Sequence, residues 1–183
     1  MPTVKLVMFI TTILYYLSPL LFGFSSAFFT RKEVSSQWYR SLRRPWFSPP
    51  RYVFAPVWTI LYLSVGYCLY LIHSLPENHP TVISGAAKHA IYTCWGQLVC
   101  NYIWSWLFFL KKDIKLALLD IFAMWILTFA TLLQFFFIST FIGLVFVPYF
   151  AWISFATAIT YSVCSLNQDF KNPAKQRLLP AIN

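Results

Sequence analysis

Few residues of this chain could support acid–base or metal chemistry, and those few lie far apart. Between Leu116 and Val163 the only charged residue is Asp120. The histidines lie near the ends of apolar segments, without metal-ligand spacing, at His73, His79 and His89. The cysteines lie inside apolar runs without a CxxC motif, at Cys68, Cys94, Cys100 and Cys164. Catalysis usually needs paired titratable groups or a metal, so the pattern favours binding over catalysis, with no metal or cofactor.

Aromatic residues and prolines are concentrated in one polar connector. Residues 38–50 read WYRSLRRPWFSPP. Proline fixes φ and ends helices, so the three prolines predict a stiff, non-helical loop. Its aromatic side chains, Trp38, Trp46 and Phe47, can either cap the mouth of a helical bundle or lie in the aromatic belt of a membrane surface.

Two apolar segments carry aromatic and polar residues at helical spacing. In the third segment these are Gln97, Asn101, Trp104 and Phe108, and in the fifth they are Pro148, Trp152, Phe155 and Ile159. Each set lies on one helical face. Buried amides beside aromatic rings are typical of a ligand pocket, and they are equally typical of hydrogen bonds between membrane helices.

Long apolar segments must position these residues. The chain is 59% hydrophobic and only 10% charged, well below the roughly 25% charged residues of soluble domains. Segments of about 20 apolar residues can cross a bilayer as helices, and five are predicted, at about 4–30, 53–72, 86–110, 114–137 and 141–166. The last two are separated by a turn near Ser139–Thr140. The sequence predicts an all-α integral membrane bundle of five transmembrane helices over residues 1–166, with a polar tail at 167–183.

The basic residues give the orientation. The chain has 14 Lys and Arg residues, and all except Lys5 and Lys88 follow the first, third or fifth segment. The positive-inside rule then places the first loop and the carboxyl terminus in the cytosol. A cleaved signal peptide ending near Ser25–Ala27 would contradict this bias. Because the cations lie at membrane edges, we expect no nucleic-acid partner.

The whole chain apart from its tail resembles the translocator protein family, also called the tryptophan-rich sensory protein or peripheral benzodiazepine receptor family. Its pattern is approximately W-Y-x-x-L-x-[KR]-P-x-[WF]-x-P-P, followed by P-V-W-x-x-L-Y-x-x-x-G. Matches lie at Trp38, Tyr39, Leu42, Arg44, Pro45, Phe47, Pro49, Pro50, Pro56, Val57, Trp58, Leu61, Tyr62 and Gly66. Further matches lie at Gln97, Asn101, Trp104, Phe108, Phe109, Asp120, Pro148, Tyr149, Ala151, Trp152, Phe155, Ala156 and Thr157.

The resemblance implies a five-helix receptor or carrier in the mitochondrial outer membrane. It would bind a porphyrin, a sterol such as cholesterol, or a benzodiazepine-site ligand between its helices, in transport or sensing of tetrapyrrole or lipid. The expected ligand-binding residues are Trp38, Trp46, Phe47, Trp58, Gln97, Asn101, Trp104, Asp120, Pro148, Trp152, Phe155, Ala156 and Ile159. A propionate could pair with Arg43, Arg44 or Arg51. The alternative is a membrane-embedded enzyme acting on a porphyrin or lipid.

Two features stay open within the resemblance. The family's cholesterol-associated stretch has a basic residue shortly after an aromatic one, but Ser165 takes that position after Tyr161, and Thr160 replaces an asparagine. Cholesterol binding is therefore in doubt. Small residues at spacings of four, Ser154, Ala158 and Ser162, can pack within the bundle or join two copies as a homodimer.

Overall fold

The computed structural model describes residues 2–168, with side chains except at residues 2–9 and Thr11. Seven α-helices lie in this part: α1 Pro2–Thr30, α2 Gln37–Ser41, α3 Arg51–His73, α4 Pro80–Ile83, α5 Ala86–Ser105, α6 Ile114–Ile138 and α7 Thr140–Leu166. A 3₁₀ turn covers Glu33–Ser35, and a π-helical turn, Trp106–Leu110, continues α5. The described residues contain no strand, which confirms the all-α prediction. Most of the predicted tail lies outside the described residues.

Four of these helices are long and apolar enough to cross a membrane. They are Thr12–Thr30 of α1, Arg51–His73, Ile114–Ile138 and Thr140–Leu166. The chain is therefore an integral membrane protein. Helix α5 is as long as a span but less apolar, because it carries Lys88 and His89 in its first turn and the buried Gln97 and Asn101 on its inward face.

The five long helices form a closed ring. Helix α1 packs against α3, α3 against α7, α7 against α6, α6 against α5, and α5 against α1. Ser139 alone separates α6 from α7, with extended φ and ψ angles of −161° and 129°. Helix α7 therefore lies between α3 and α6.

The half of the ring remote from the first loop (residues 31–50) is filled with side chains. Phe135, Phe146 and Tyr149 are fully buried there. The ring centroid of Phe146 lies 4.8 Å from that of Phe135 and 5.2 Å from that of Tyr149. Gly66 of α3 lies directly against the backbone carbonyl of Tyr16, a position where a Cβ atom would clash. This close approach holds α1 and α3 together at the filled end, so that any internal space must lie at the other end.

The first loop covers the open end of the ring and contacts several helices there. The Nζ atom of Lys112, which lies in the turn before α6, is 3.1 Å from a carboxylate oxygen of Glu33. Leu42 is buried, and the Phe47 ring lies 6.1 Å from that of Phe155 on α7. These contacts with separate helices hold the loop in place as a roof over the bundle.

Candidate functional site

A cavity of about 400 Å³ lies inside the ring beneath the first loop. All five long helices and the loop contribute to its wall. This volume is within the range of pockets that hold small organic molecules, roughly 300–1,000 Å³.

Four helices line the cavity with residues at the same helical spacing. Helix α1 contributes Gly23, Ser26, Ala27 and Thr30, and helix α3 contributes Arg51, Phe54, Ala55, Trp58, Thr59 and Tyr62. Helix α5 and its π turn contribute Asn101, Trp104, Ser105, Phe108 and Phe109, and helix α7 contributes Ala156, Ile159, Thr160 and Val163. Within each set most residues have another member three or four positions away, which places one face of each helix toward the cavity.

Aromatic rings form two parts of the wall, one on α3 and one on α5. On the α3 side, Trp58 stacks on Tyr62 with ring centroids 5.1 Å apart and planes 26° apart. On the α5 side, Trp104 stacks on Phe108 at 4.9 Å and 17°. Trp104 Nε1 is buried and has no hydrogen-bond partner in the described part of the chain. The two stacks present flat, apolar surfaces.

A chain of buried hydrogen bonds forms the floor. The Tyr62 hydroxyl donates to Asn101 Oδ1 at 2.9 Å, and Asn101 Nδ2 donates to the Tyr149 hydroxyl at 3.3 Å. That hydroxyl in turn donates to Gln97 Oε1 at 2.7 Å. The chain joins α3, α5 and α7 and fixes the Asn101 amide, the one carboxamide that lines the cavity in the described part.

Most other polar groups of the wall are engaged with their own helices. The hydroxyls of Thr30, Thr59 and Thr160 donate to backbone carbonyls four residues earlier at 3.0, 2.8 and 2.9 Å. Because their hydroxyl protons are already donated, these threonines offer only methyl groups and oxygen lone pairs to the cavity. The wall is apolar with few free donors.

Cations occupy the rim. Arg31, Arg44 and Arg51 all line the cavity at its loop end. The Arg31 guanidinium lies 4.3 Å from the centroid of the Phe28 ring, and Arg51 Nη1 donates to the Val34 carbonyl at 2.8 Å. The cavity is thus positive at its mouth and apolar in its depth.

The structure places five of the expected site residues on the cavity wall. They are Trp58, Asn101, Trp104, Ala156 and Ile159. Trp38, Phe47, Trp152 and Phe155 lie behind the wall. Trp152 packs edge-on against Trp58 at 6.3 Å, and Trp38 packs against Phe108 at 5.8 Å. These residues support the lining side chains rather than forming the surface.

The other expected residues lie away from the cavity. Trp46 is 95% exposed on the outside of the loop, so its ring does not cap the mouth. Gln97 does not line the cavity; its Oε1 accepts from the Tyr149 hydroxyl at the far end of the hydrogen-bond chain of the floor. Pro148 is exposed within α7. Asp120 is half-buried in α6, and its Oδ2 is buried without a hydrogen-bond partner among the described residues.

Residue type alone did not indicate the α1 wall. Its Gly23, Ser26, Ala27 and Thr30 are small and chemically plain, and the rim residue Arg31 follows them directly. Their steps of three, one and three residues are a helical signal that sequence reasoning could have used. Small side chains on one face of a membrane helix leave room beside it.

The fold and the cavity define a class: a polytopic helical membrane protein whose ring of helices encloses a space of small-molecule size. Residues 12–166 match the family model described as the TspO/MBR family. The chain belongs to this family, as the sequence motifs indicated.

Relatives from distant sources agree with this assignment. The tryptophan-rich protein TspO of Archaeoglobus fulgidus is 33% identical over 151 residues, 82% of this chain and 93% of the relative. The translocator protein of Bos taurus is 33% identical over 157 residues, 84% of this chain and 88% of the relative. The tryptophan-rich sensory protein of Cereibacter sphaeroides is 33% identical over 131 residues, 72% of this chain and 77% of the relative. The bovine relative is thus named as a translocator protein and that of Cereibacter sphaeroides as a sensory protein.

Proposed function

We propose that this protein is a membrane receptor or carrier that binds a flat apolar ligand in the cavity beneath the first loop. The ligand class is that of porphyrins, sterols or benzodiazepine-site compounds, and the role is transport or sensing of a tetrapyrrole or lipid. The observation that carries the proposal is the 400 Å³ cavity lined by two aromatic stacks. Flat rings pack against such surfaces with a large gain in buried apolar area.

The contact residues proposed for the ligand are those on the wall: Trp58, Asn101, Trp104, Ala156 and Ile159. The side chains behind them, Trp38, Phe47, Trp152 and Phe155, hold the walls in position. We propose that Gln97 acts through Asn101, and that Trp46 anchors the loop at the membrane surface, where tryptophan is favoured.

Binding is proposed rather than catalysis because of the chemistry of the wall. Among the described residues that line the cavity, none is Asp, Glu, His or Cys. Acid–base chemistry on a bound porphyrin or lipid would need such a group close to the ligand.

We further propose that α5 is the fifth transmembrane helix and that the protein resides in the mitochondrial outer membrane. With the π turn, α5 covers residues 86–110 and packs between α1 and α6, both of which are membrane-spanning by length and composition. Its two amides are buried, which is how polar residues are accommodated in spanning helices. Five crossings place the first loop and the carboxyl end on one side, the cytosol. To test this arrangement, cysteines are introduced at positions 46 and 168, and the protein in sealed vesicles is labelled with a membrane-impermeant thiol reagent. Labelling of the two positions from opposite sides of the membrane would overturn the proposal.

Titration of the purified chain in detergent tests the binding proposal. A porphyrin, a sterol and an isoquinoline carboxamide are compared by tryptophan quenching and ligand absorbance. We expect saturable binding of at least one of them, weakened about tenfold or more by Trp104→Ala, because an aromatic stack contributes on the order of 1 kcal/mol beyond its buried area.

Trp106→Phe is the matched control, because Trp106 belongs to the same segment but is exposed on the outside of the bundle. Equal affinities of the wild type and Trp104→Ala would show that the ligand lies elsewhere. Turnover of a bound porphyrin or lipid by the purified chain would favour the enzyme alternative.

A further inference from the structure

Pro19 interrupts α1 at the level where the cavity begins. Because proline has no backbone N–H, the Tyr15 carbonyl loses its helical donor, and the Ser18 hydroxyl donates to it instead at 3.4 Å. The next residue, Leu20, is the first described residue of α1 that lines the cavity. Sharp bends in helices occur at such prolines, so α1 has a point of bending between its two halves.

The first half of α1 is fixed to α3. The Tyr16 carbonyl lies against Gly66, where no side chain intervenes. The Tyr15 ring stacks on that of His73 with centroids 4.3 Å apart, and the Tyr16 ring lies 6.2 Å from that of Tyr67. A backbone contact and two ring contacts therefore anchor this half.

The second half of α1 is held more loosely. Over residues 24–30, the side-chain hydrogen bonds and ring contacts in the described part of the chain stay within α1 or go to the adjacent Arg31. Of the spanning segment of α1, 11% is buried inside the protein, against 39% for α3 and 33% for each of α6 and α7. Since the ring is one helix thick, this half of α1 alone separates its side of the cavity from the bilayer.

A small aromatic cluster holds the second half of α1 against α5. The Phe22 ring stacks on that of Tyr102 at 5.6 Å and 24°, and it lies 6.3 Å from that of Trp95. The Tyr102 hydroxyl donates to the Pro19 carbonyl at 3.3 Å. Tyr102 thus contacts α1 both at its point of bending and one turn beyond it.

Beyond this cluster, small residues form the seam between α1 and α5. Ser26 and Ser105 follow Phe22 and Tyr102 by one helical turn on the same faces, and both serines line the cavity. A separation of the two helices at this level therefore has few side chains to displace.

The first loop offers a less open route to the cavity. Its Glu33 is paired with Lys112, and its Leu42 is buried. A ligand that passed the loop would also leave the bilayer for water, which is unfavourable for an apolar molecule.

We propose that residues 20–30 of α1 form a lateral gate, which turns about Pro19 away from α5 and admits ligand from the bilayer directly into the cavity. The inference rests on the proposed function and gives the route by which its ligand exchanges. Tyr102 stabilises the closed state, and the hydrogen bond missing at Pro19 makes opening less costly. Because the open state is the minor one, a change at the gate alters the rates of entry and release together and leaves the affinity unchanged.

Rates of porphyrin exchange test the gate. Protoporphyrin is mixed with the full chain in phosphatidylcholine vesicles, entry is followed by tryptophan quenching, and release is followed by transfer to empty vesicles. We expect Tyr102→Phe to raise both rates about threefold, the effect of one hydrogen bond between membrane helices, and Pro19→Ala to lower both. Tyr92→Phe and Pro56→Ala are the controls, because both residues are exposed and neither lines the cavity.

A reversible crosslink tests the route directly. Phe22→Cys and Tyr102→Cys are combined with Cys100→Ala and Cys164→Ala, and a short reducible thiol crosslinker joins α1 to α5. We expect porphyrin entry and release to stop in the crosslinked protein and to return on reduction. Exchange that is equally fast before and after crosslinking overturns the gate and leaves the proposed function standing.

The matched crosslink lies before the point of bending. Tyr15→Cys and His73→Cys join α1 to α3 where their rings stack, and this crosslink should leave porphyrin exchange unchanged. If it stops exchange as completely as the crosslink between positions 22 and 102, the hinge at Pro19 is wrong.

A measurement without ligand separates the gate from the proposed function. In the same cysteine background, Ser26→Cys is labelled by a maleimide dissolved in the bilayer. Tyr102→Phe should speed this labelling and Pro19→Ala should slow it, while Phe29→Cys on the outer surface reacts equally in both. If no porphyrin binds the wild type, the proposed function fails, and labelling at position 26 still decides the gate. Unchanged labelling at position 26 in both variants overturns it.

Discussion

The side chain of Asn167 holds the backbone of Arg43 at both its donor and its acceptor. Asn167 Oδ1 accepts from the Arg43 N–H at 3.0 Å, and Nδ2 donates to the Arg43 carbonyl at 2.8 Å and to that of Val163 at 2.7 Å. Asn167 ends α7 and is 6% exposed, while Arg43 belongs to the first loop. The loop and the carboxyl end of α7 therefore lie together at one end of the bundle, where the charge pattern of the sequence also places them.

Replacement of Asn167 by Ala should loosen the roof of the cavity. The change leaves the Arg43 N–H and carbonyl without their partners, and an unpaired buried polar group costs about 1–3 kcal/mol. We expect faster amide exchange at residues 42–45, a lower thermal midpoint, and faster release of bound ligand. Gln168→Ala is the control, because Gln168 is exposed beside it. Unchanged exchange at residues 42–45 would show that other contacts hold the loop.

Addition of one methyl group at Gly66 should separate α1 from α3. A Cβ atom there meets the backbone carbonyl of Tyr16, which cannot move aside as a side chain can. We expect Gly66→Ala to lower the stability in detergent by about 1–3 kcal/mol. At Gly96 the same atom would lie 3.9 Å from Leu127 Cδ1, an ordinary contact. Gly96→Ala should therefore be neutral or stabilising by up to about 1 kcal/mol, and equal losses in the two variants would contradict the close packing at Gly66.

Removal of the Tyr149 hydroxyl should break the hydrogen-bond chain of the cavity floor. Tyr149→Phe deprives Gln97 Oε1 of a donor and Asn101 Nδ2 of an acceptor. We expect a loss of about 1–2 kcal/mol in thermal or denaturant unfolding, together with weaker ligand binding as Asn101 loses its fixed position. Tyr161→Phe serves for comparison, since Tyr161 lies on the same helix and is 58% exposed. The floor would need another explanation if both variants behaved alike.

Filling of the cavity should abolish binding without unfolding the protein. Ala156 lines the cavity, so the larger ring of Ala156→Phe can occupy existing space. We expect the affinity for the ligand to fall tenfold or more while the thermal midpoint changes little. Ala158→Phe places the same ring on the exposed face of α7. A ligand that still binds Ala156→Phe with full affinity would lie outside this cavity.

The fold was largely predictable because the lengths of the apolar segments can be read directly from the sequence. The long helices end close to the predicted segments, and the break between α6 and α7 falls at Ser139, within the predicted turn. Helix α5 is the less certain match to a membrane span in composition, since Gln97 and Asn101 lower its mean hydropathy although both are buried.

The cavity wall was less predictable because the wall and its supporting layer look alike in sequence. Trp152 and Phe155 have the residue types and spacing of a pocket, yet Trp152 lies behind Trp58 and Phe155 packs against Phe47. The wall of α7 is formed by Ala156 and Ile159, which were expected, and by Thr160 and Val163, which were not. The rotation of a helix about its axis depends on its partners, and apolar membrane helices give only a weak pattern for it.

The order of helices around the ring has a consequence for biosynthesis. Because α7 inserts between α3 and α6, a nascent chain that has released only α1 to α6 has a gap in its ring. The faces of α3 and α6 that pack against α7 have no protein partner until α7 is synthesised. Neither the cavity nor the contact of Asn167 with the first loop can form before the final helix leaves the ribosome. A chain that ends before α7 therefore lacks one wall of the cavity and the contact that holds the first loop.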